Sequence, residues 1–231
     1  LGENEAGAEN AAFGWNALTT NTSGNQNTAI GSQALKQNTS GHYNTALGKN
    51  AGRQNTTGQR NTAIGYQAGQ ATTTADRSTS VGAYSLHSNT TGARNQAFGN
   101  QALYYNTTGQ YNTAVGYATL GNNTTADNNT AVGYAALGAN TTGTRNVAVG
   151  YQALDANTTG QRNTAVGFGS LSNYNETGGA ADYNTAFGYS TLNQTTTGTL
   201  NTAVGGLALE YNTTANNNSA LGYKALYANT T

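Results

Sequence analysis

One glycine recurs with a fixed 17-residue period along nearly the whole chain, and this period constrains the fold more than any other feature. The glycine always follows a large apolar residue, and the period is constant except at the longer, 21-residue step from Gly167 to Gly188. Its thirteen occurrences are Gly14, Gly31, Gly48, Gly65, Gly82, Gly99, Gly116, Gly133, Gly150, Gly167, Gly188, Gly205 and Gly222. A fixed period of this kind is typical of proteins built from stacked repeats. We therefore expect about thirteen 17-residue coils.

The pattern inside each repeat favours β-structure over helix. The consensus N-T-A-V-G-Y-x-A-L-x-x-N-T-T-G-x-x is almost unaltered in residues 146–162. Thr-Ala-Val-Gly-Tyr alternates with a period of two, which predicts a strand, and Ala-Leu predicts a second short strand. Asn-Thr-Thr-Gly supplies turn residues, and the Gly, Asn and Thr content of every repeat excludes a helical repeat. The predicted fold is all-β: a β-solenoid in the form of a parallel, two-strand β-roll.

Two residue columns of the repeat define the expected interior. The large apolar residue before each glycine is expected to face inward, and Val132 is one example. The asparagine that opens 12 of the 13 repeats is expected to bond its side-chain amide to the amide one coil away. Two large apolar residues bury little surface compared with the entropy lost by ordering a whole coil. We therefore expect the chain to associate with copies of itself.

The domain organisation follows from the period. Residues 1–9 are expected to form a cut or irregular first coil, and residues 10–231 a continuous solenoid with a four-residue insertion in 172–182. A triangular hexapeptide β-helix is the nearest competing architecture. It would need large apolar residues where the sequence has Asp155 and Gln161, so we favour the two-strand roll.

Composition limits the classes of function. The chain has 231 residues, no cysteine, a formal net charge of zero and only 8% charged residues. Neutrality disfavours nucleic acid or an anionic membrane as a partner, and no apolar run approaches the length of about 18 residues that a membrane helix requires. The only histidines, His42 and His87, occupy unrelated columns, and most carboxylates are scattered singly. We therefore expect no enzyme activity, catalytic residue, metal site or cofactor.

The string Asn-Thr-Ala-Val-Gly-Tyr-x-Ala-Leu resembles the head repeat of YadA-like trimeric autotransporter adhesins and the repeat stretches of some bacteriophage tail fibres. The resemblance covers residues 10–231. It implies a left-handed parallel β-roll, assembled as a homotrimer and displayed outside the cell, on a cell surface or as a virion fibre. The implied function is surface attachment, as an adhesin head or shaft or as a tail fibre. A purely structural extracellular filament is the alternative, and ice binding by the threonine columns is a minor one.

A recurring Asn-Thr-(Thr/Ser) triplet is a formal glycosylation acceptor. It begins at Asn21, Asn38, Asn55, Asn89, Asn106, Asn123, Asn140, Asn157, Asn212 and Asn229. If these sites are glycosylated, the solenoid carries sugars in single file. The other interpretation is that a tight solenoid turn simply requires these residues.

Two further columns are candidates for binding. The residue after the glycine is aromatic at Tyr117, Tyr134, Tyr151, Phe168 and Tyr189. These rings would either stack on sugars or another flat ligand, or pack on one another or on a partner chain. The residue before the opening asparagine is arginine at Arg60, Arg77, Arg94, Arg145 and Arg162. This column would either contact an anionic glycan or a neighbouring chain, or consist of solvated turn residues with Asp76 and Asp182 nearby. The predicted partners are therefore copies of the chain and surface glycans.

Overall fold

The structure is a computed structural model that describes residues 6–176, 178 and 182–230. Thirteen strands of three residues occur in these ranges, one in each repeat, and the same ranges contain no helix. The chain divides into two compact units, the first ending at Asn112 and the second beginning at Thr113.

Each strand pairs in parallel with the next one along the chain, within each unit. The first unit contains β1 (Ala11–Phe13), β2 (Thr28–Ile30), β3 (Thr45–Leu47), β4 (Thr62–Ile64), β5 (Thr79–Val81) and β6 (Gln96–Phe98). The second contains β7 (Thr113–Val115), β8 (Thr130–Val132), β9 (Val147–Val149), β10 (Thr164–Val166), β11 (Thr185–Phe187), β12 (Thr202–Val204) and β13 (Ser219–Leu221). The register places identical repeat positions opposite each other, as Ala131 and Ala148 do. The prediction of an all-β parallel solenoid is confirmed.

The longer step before Gly188 leaves the strand register unchanged. Thr164 of β10 pairs with Thr185 of β11, so the extra residues are accommodated outside the strands. Residues 177 and 179–181 of the predicted insertion lie outside the described part of the chain, as do residues 1–5 of the predicted first coil and residue 231.

The predicted second strand is wrong. Leu137 of the Ala-Leu pair and Ala135 have φ angles of 52° and 51°, in the left-handed region that a β-strand does not use. A third left-handed residue precedes the opening asparagine, for example Arg145 with φ 60°. The turn side of the coil is still stacked in register, because Leu137 donates its backbone N–H to the carbonyl of Ala153 at 3.0 Å. Each coil thus combines one strand with a hydrogen-bonded turn segment.

The predicted inward face of the strand is also wrong. Ala131 is fully buried, whereas Val132 is partly exposed, and all strands from β2 to β13 repeat this arrangement of a small central residue inside and flanking residues outside. The interior is too narrow for more than a methyl group or a similarly small side chain on the strand side. A Cβ placed on Gly52, on the opposite wall of the coil, would lie 3.9 Å from the Cβ of Ala46. The leucine of the turn side is therefore the main large apolar side chain of the interior.

Much of the interior is polar and consists of two asparagine ladders. In the turn ladder, which contains the triplet asparagines, Asn140 donates from Nδ2 to Asn123 Oδ1 and to the carbonyl of Gly143, both at 3.0 Å. In the opening ladder the main donor to the side-chain oxygen is a backbone N–H, since Asn146 N lies 2.9 Å from Asn129 Oδ1. Buried amides need such partners to offset the loss of water. Regular amide-to-amide bonding therefore belongs to the turn ladder rather than to the predicted column.

The repeated glycine is required by close contact between coils. Gly150 has a φ of 135°, which side chains rarely adopt, and a Cβ placed there would lie 2.4 Å from the carbonyl oxygen of Gly167. The same arrangement recurs between Gly133 and Gly150. Backbone packing at this corner thus explains the period that the sequence displays.

Candidate interaction surface

The outward strand residues form what we call the outward apolar column. Its members are Phe13, Ile30, Leu47, Ile64, Val81 and Phe98 in the first unit and Val115, Val132, Val149, Val166, Phe187, Val204 and Leu221 in the second. Leu47 is 45% exposed and Phe187 is 55% exposed, while Ala186 next to Phe187 is 0% exposed. The larger apolar group of each strand thus faces out of the coil in the single chain.

The predicted aromatic column of the second unit is a continuous stack of rings. Successive rings from Tyr117 through Tyr134, Tyr151 and Phe168 to Tyr189 have centroids 4.9–5.5 Å apart and planes within 7–15° of parallel. Parallel register produces this stack, because the same position of each coil lies directly beside the same position of the next. The three inner rings therefore have both faces against neighbouring rings. This geometry fits the packing interpretation, and on the inner rings it leaves the ring edges and the phenol groups of Tyr134 and Tyr151 as the parts that can meet a ligand.

The first unit has a different aromatic cluster that the column analysis missed. His87 stacks on Tyr104 with centroids 4.9 Å apart and planes 3° from parallel, and Tyr84 lies against both rings. Burial lowers the pKa of His87, since desolvation disfavours its charged form. His87 and Tyr104 are one repeat apart in the sequence, so alignment of this column would have found the pair.

The arginine column meets tyrosine rings instead of carboxylates. Arg60 lies over the ring of Tyr43 at 5.3 Å, and Arg94 lies over the ring of Tyr111 at 5.2 Å, each pair belonging to adjacent coils. Arg94 also donates from Nη1 to the Tyr111 hydroxyl at 2.5 Å. Arg77 lies between Arg60 and Arg94 in sequence, and all three side chains are exposed. We call the exposed run of Tyr43, Arg60, Arg77, Arg94 and Tyr111 the basic column.

The two aspartates expected beside the arginines bind backbone groups instead. Asp76 Oδ1 accepts a hydrogen bond from the backbone N–H of Gln59 at 2.7 Å. Asp182 Oδ2 accepts from the backbone N–H of Gln161 at 2.8 Å and from Asn163 Nδ2 at 3.0 Å. Asp182 is fully buried, and its burial raises the pKa of the carboxyl group. It therefore belongs to the interior of the coil and not to a charged surface.

In the second unit, Arg162 has the same ring contact as Arg60 and Arg94, whereas Arg145 is described by a backbone hydrogen bond. Arg162 lies over the ring of Tyr183 at 5.5 Å, and Arg145 donates its backbone N–H to the carbonyl of Asp127 at 3.2 Å. These two arginines are in adjacent coils, so the longest consecutive run of arginines is the one in the first unit.

Nine of the ten triplet asparagines have no surface to offer a glycan. Asn21, Asn38, Asn55, Asn89, Asn106, Asn123, Asn140, Asn157 and Asn212 are at most 2% exposed. Each donates Nδ2, the atom that a glycan would modify, to the backbone carbonyl three residues along at 2.9–3.2 Å. A sugar attached to Nδ2 would not fit in this packed interior. At these nine residues the structural interpretation of the triplet replaces glycosylation, whereas at half-buried Asn229 glycosylation stays a prediction.

Chemistry-bearing side chains are dispersed in the described ranges. His42 accepts the backbone N–H of Asn25 through Nδ1 at 2.9 Å and is far in sequence from His87. No group of three or more His, Asp or Glu residues that could hold a metal ion occurs within residues 6–176, 178 and 182–230. A search of the same residues for a helix long and apolar enough to cross a membrane finds none. Comparison with protein-family models, with curated proteins and with solved structures found no match to this chain.

Proposed function

We propose that the chain is a fibrous structural segment that assembles with copies of itself along the outward apolar column. In this proposal the assembled solenoid forms the head or shaft of an extracellular attachment fibre. The observation that carries it is the inversion of the strands, which places alanine, or serine in β5, inside and valine, isoleucine, leucine or phenylalanine outside. Because the interior has no room for these larger side chains, they can be buried only against another chain.

The chemistry of the column supports association. Its thirteen members carry no charge, and in most strands the other outward residue is threonine, as Thr130 is beside Val132. Contiguous apolar surface beyond a few hundred Å² is unusual on a soluble monomer and marks interaction sites. Neutral apolar and hydroxyl groups also allow two identical faces to meet without repulsion.

The period of the column favours a second copy over an unrelated partner. Neighbouring parallel strands lie about 4.8 Å apart, so the column offers one apolar side chain at each such step. A copy of the same chain presents the same residues at the same step, and its contacts repeat at every coil. Homo-oligomers close around a symmetry axis, and the resemblance to trimeric adhesin heads makes three chains our proposed number.

The oligomeric mass in solution tests this proposal. Sedimentation equilibrium of the unmodified chain should give a homotrimer. A variant carrying Val132→Asn, Val149→Asn and Val166→Asn should lose assembly while it keeps a β-type circular dichroism spectrum. A matched variant carrying Thr130→Asn and Thr202→Asn, which are outward positions of the same face, should still assemble. A monomeric unmodified chain, or assembly that survives the three valine substitutions, would overturn the proposal.

A second candidate function is attachment to an acidic polysaccharide through the basic column. Three exposed arginines in consecutive coils present guanidinium groups roughly every 5 Å, and they lie in a chain of zero net charge. Guanidinium groups bind carboxylate and sulfate oxygens with two parallel hydrogen bonds. The rings of Tyr43 and Tyr111 hold Arg60 and Arg94 at the two ends of the run. A linear polyanion fits this arrangement better than a single small ion does.

Binding to dextran sulfate, with uncharged dextran of the same length as reference, tests this second function. The assembled chain should bind the sulfated polymer with an affinity that falls as salt is raised. Substitution of Arg60, Arg77 and Arg94 by Gln should reduce that affinity at least tenfold, and Arg145→Gln with Arg162→Gln should change it by less than threefold. Equal losses in the two variants, or equal binding to both polymers, would refute the basic column as the site.

A further inference from the structure

The interior of the first unit contains a cavity where the leucine column is interrupted. Leu35 and Leu86 are three repeats apart, and the two positions between them in this column are Gly52 and Gly69. A cavity of about 20 Å³ lies there, with both leucines in its lining. Two missing leucine side chains in consecutive coils account for the space.

Other departures from the repeat line the same cavity. Thr72 stands where the turn ladder has asparagine, Ser78 where the opening ladder has asparagine, and Ser80 where the strand has alanine. A Cβ placed on Gly69 would lie 3.2 Å from Ser80 Oγ and 3.4 Å from Thr72 Oγ1. Two hydroxyl groups therefore border the position that a leucine side chain would occupy. Five exceptions to the consensus meet at one place in the fold.

The cavity also interrupts the turn ladder and leaves one buried acceptor without a partner. Asn55 donates from Nδ2 to Asn38 Oδ1 at 2.7 Å and to the carbonyl of Gly58 at 3.0 Å. Its own Oδ1 has no hydrogen-bond partner, because Thr72 in the next coil has no Nδ2 to donate. Asn55 is 2% exposed and lines the cavity. An unpaired buried amide oxygen is destabilising, because it has lost its hydrogen bond to water and gained none in the fold.

We infer that this cavity is a binding site for a single water molecule that donates to Asn55 Oδ1. A cavity needs roughly 10–15 Å³ to hold one water, so the available space fits one molecule. Asn55 Oδ1 and the hydroxyl groups of Thr72 and Ser80 supply the two to four polar partners that such a water requires. The bound water takes the place of the amide donor that asparagine supplies in the other coils, and it fills part of the leucine gap.

The turn ladder of the second unit is also interrupted, but the space at the interruption is filled differently. Asn157 Oδ1 is also unpaired, because Tyr174 occupies the next ladder position. The Tyr174 side chain is fully buried, and a Cβ placed on Gly160 would lie 3.0 Å from its ring. A side chain, and not a solvent molecule, therefore fills this space. The comparison indicates that the small residues of the first unit leave room that the tyrosine of the second unit takes up.

Oxygen-17 magnetic relaxation dispersion of the assembled chain tests the inference, together with a crystal structure that resolves waters. The unmodified chain should show a long-lived internal water at Asn55 Oδ1. Thr72→Asn should supply the missing donor and remove that water from both measurements. As a matched control, Thr195→Asn changes the same column in the second unit and should leave the water in place.

A second variant guards against a folding defect in Thr72→Asn. Gly69→Ala places a methyl group between the two hydroxyl groups and should also remove the water, with the β-type spectrum retained. The inference fails if the unmodified chain has no density at the site, or if neither substitution lowers the count of long-lived waters by one. It fails as well if xenon occupies the cavity of the unmodified crystal, since a xenon-filled cavity is dry and apolar.

Discussion

The ring of Phe168 lies flat against the ring of Tyr151, with centroids 4.9 Å apart and planes 7° from parallel. The two residues are one repeat apart and belong to adjacent coils. Their stacking follows directly from the register of β9 and β10, in which Val149 pairs with Val166. Side chains at one repeat position therefore act as a column, and substitutions in a column can be compared with substitutions beside it.

Removal of one inner ring should destabilise the second unit measurably. Tyr151→Ala deletes two stacking contacts, with Tyr134 and with Phe168, and each such pair contributes about 0.5–1.5 kcal/mol beyond buried area. We expect a loss of about 1–3 kcal/mol in the free energy of unfolding, measured by denaturant titration. Tyr151→Phe keeps the ring and should cost less than a third of that. Similar values for the two variants would mean that the stack does not contribute to stability.

The two faces of a strand should respond oppositely to a charge. Ala131→Asp places an unpaired carboxylate in the closed interior and should prevent folding. Val132→Asp places the carboxylate on the outward face and should leave the fold of the single chain intact. Circular dichroism should show loss of β-structure only for Ala131→Asp. Val132→Asp should instead reduce the oligomeric mass. Disruption of the fold by Val132→Asp in a monomeric preparation would contradict the face assignment.

The turn ladder should be sensitive to loss of one amide. Asn140→Ala removes the donor to Asn123 Oδ1 and the acceptor for Asn157 Nδ2, both at 3.0 Å. An orphaned buried polar group costs about 1–3 kcal/mol, and the melting temperature should fall accordingly. Asn122, which precedes Asn123 in the chain and is exposed, provides the control. Asn122→Ala should change the free energy of unfolding by less than about 0.5 kcal/mol.

The pH dependence of stability should contain a contribution from Asp155. Partial burial raises the pKa of its carboxyl group, although hydrogen bonds from the backbone of Gly138 and from Gln152 act in the opposite direction. The folded chain therefore holds this proton more tightly than the unfolded chain, whose aspartates titrate at about pH 3.9. Stability contributed by the protonated form is lost as the pH rises from about 4 through the raised pKa.

Asp155→Asn removes this titration and measures the contribution directly. The variant should lack that part of the decline in unfolding free energy, and above the titration range it should be at least as stable as the unmodified chain. Denaturant titrations at a series of pH values from 3 to 8 provide the comparison. A variant that becomes less stable than the unmodified chain as the pH rises would show that the ionised carboxylate is favourable in the fold.

Several features of the fold follow from the sequence alone. The 17-residue period predicted one coil per repeat, and the alternation in Thr-Ala-Val predicted the strand that the structure contains in all thirteen copies. Column alignment also placed Tyr117 through Tyr189 side by side, because in-register parallel pairing converts a sequence period into a contact. These predictions depend only on spacing and on local backbone preference.

The tertiary structure decided which face of the strand is inside. Alternation states that Thr130 and Val132 share a face opposite Ala131, but it does not state which face meets the interior. That choice depends on the width of the closed coil, which must also contain the turn-side leucine and two asparagine amides. The Ala-Leu pair illustrates the same limit, since Leu137 adopts a left-handed conformation that its local sequence does not favour. Closure of the coil imposes that conformation, and closure is a property of the whole 17-residue turn and of the coils stacked beside it.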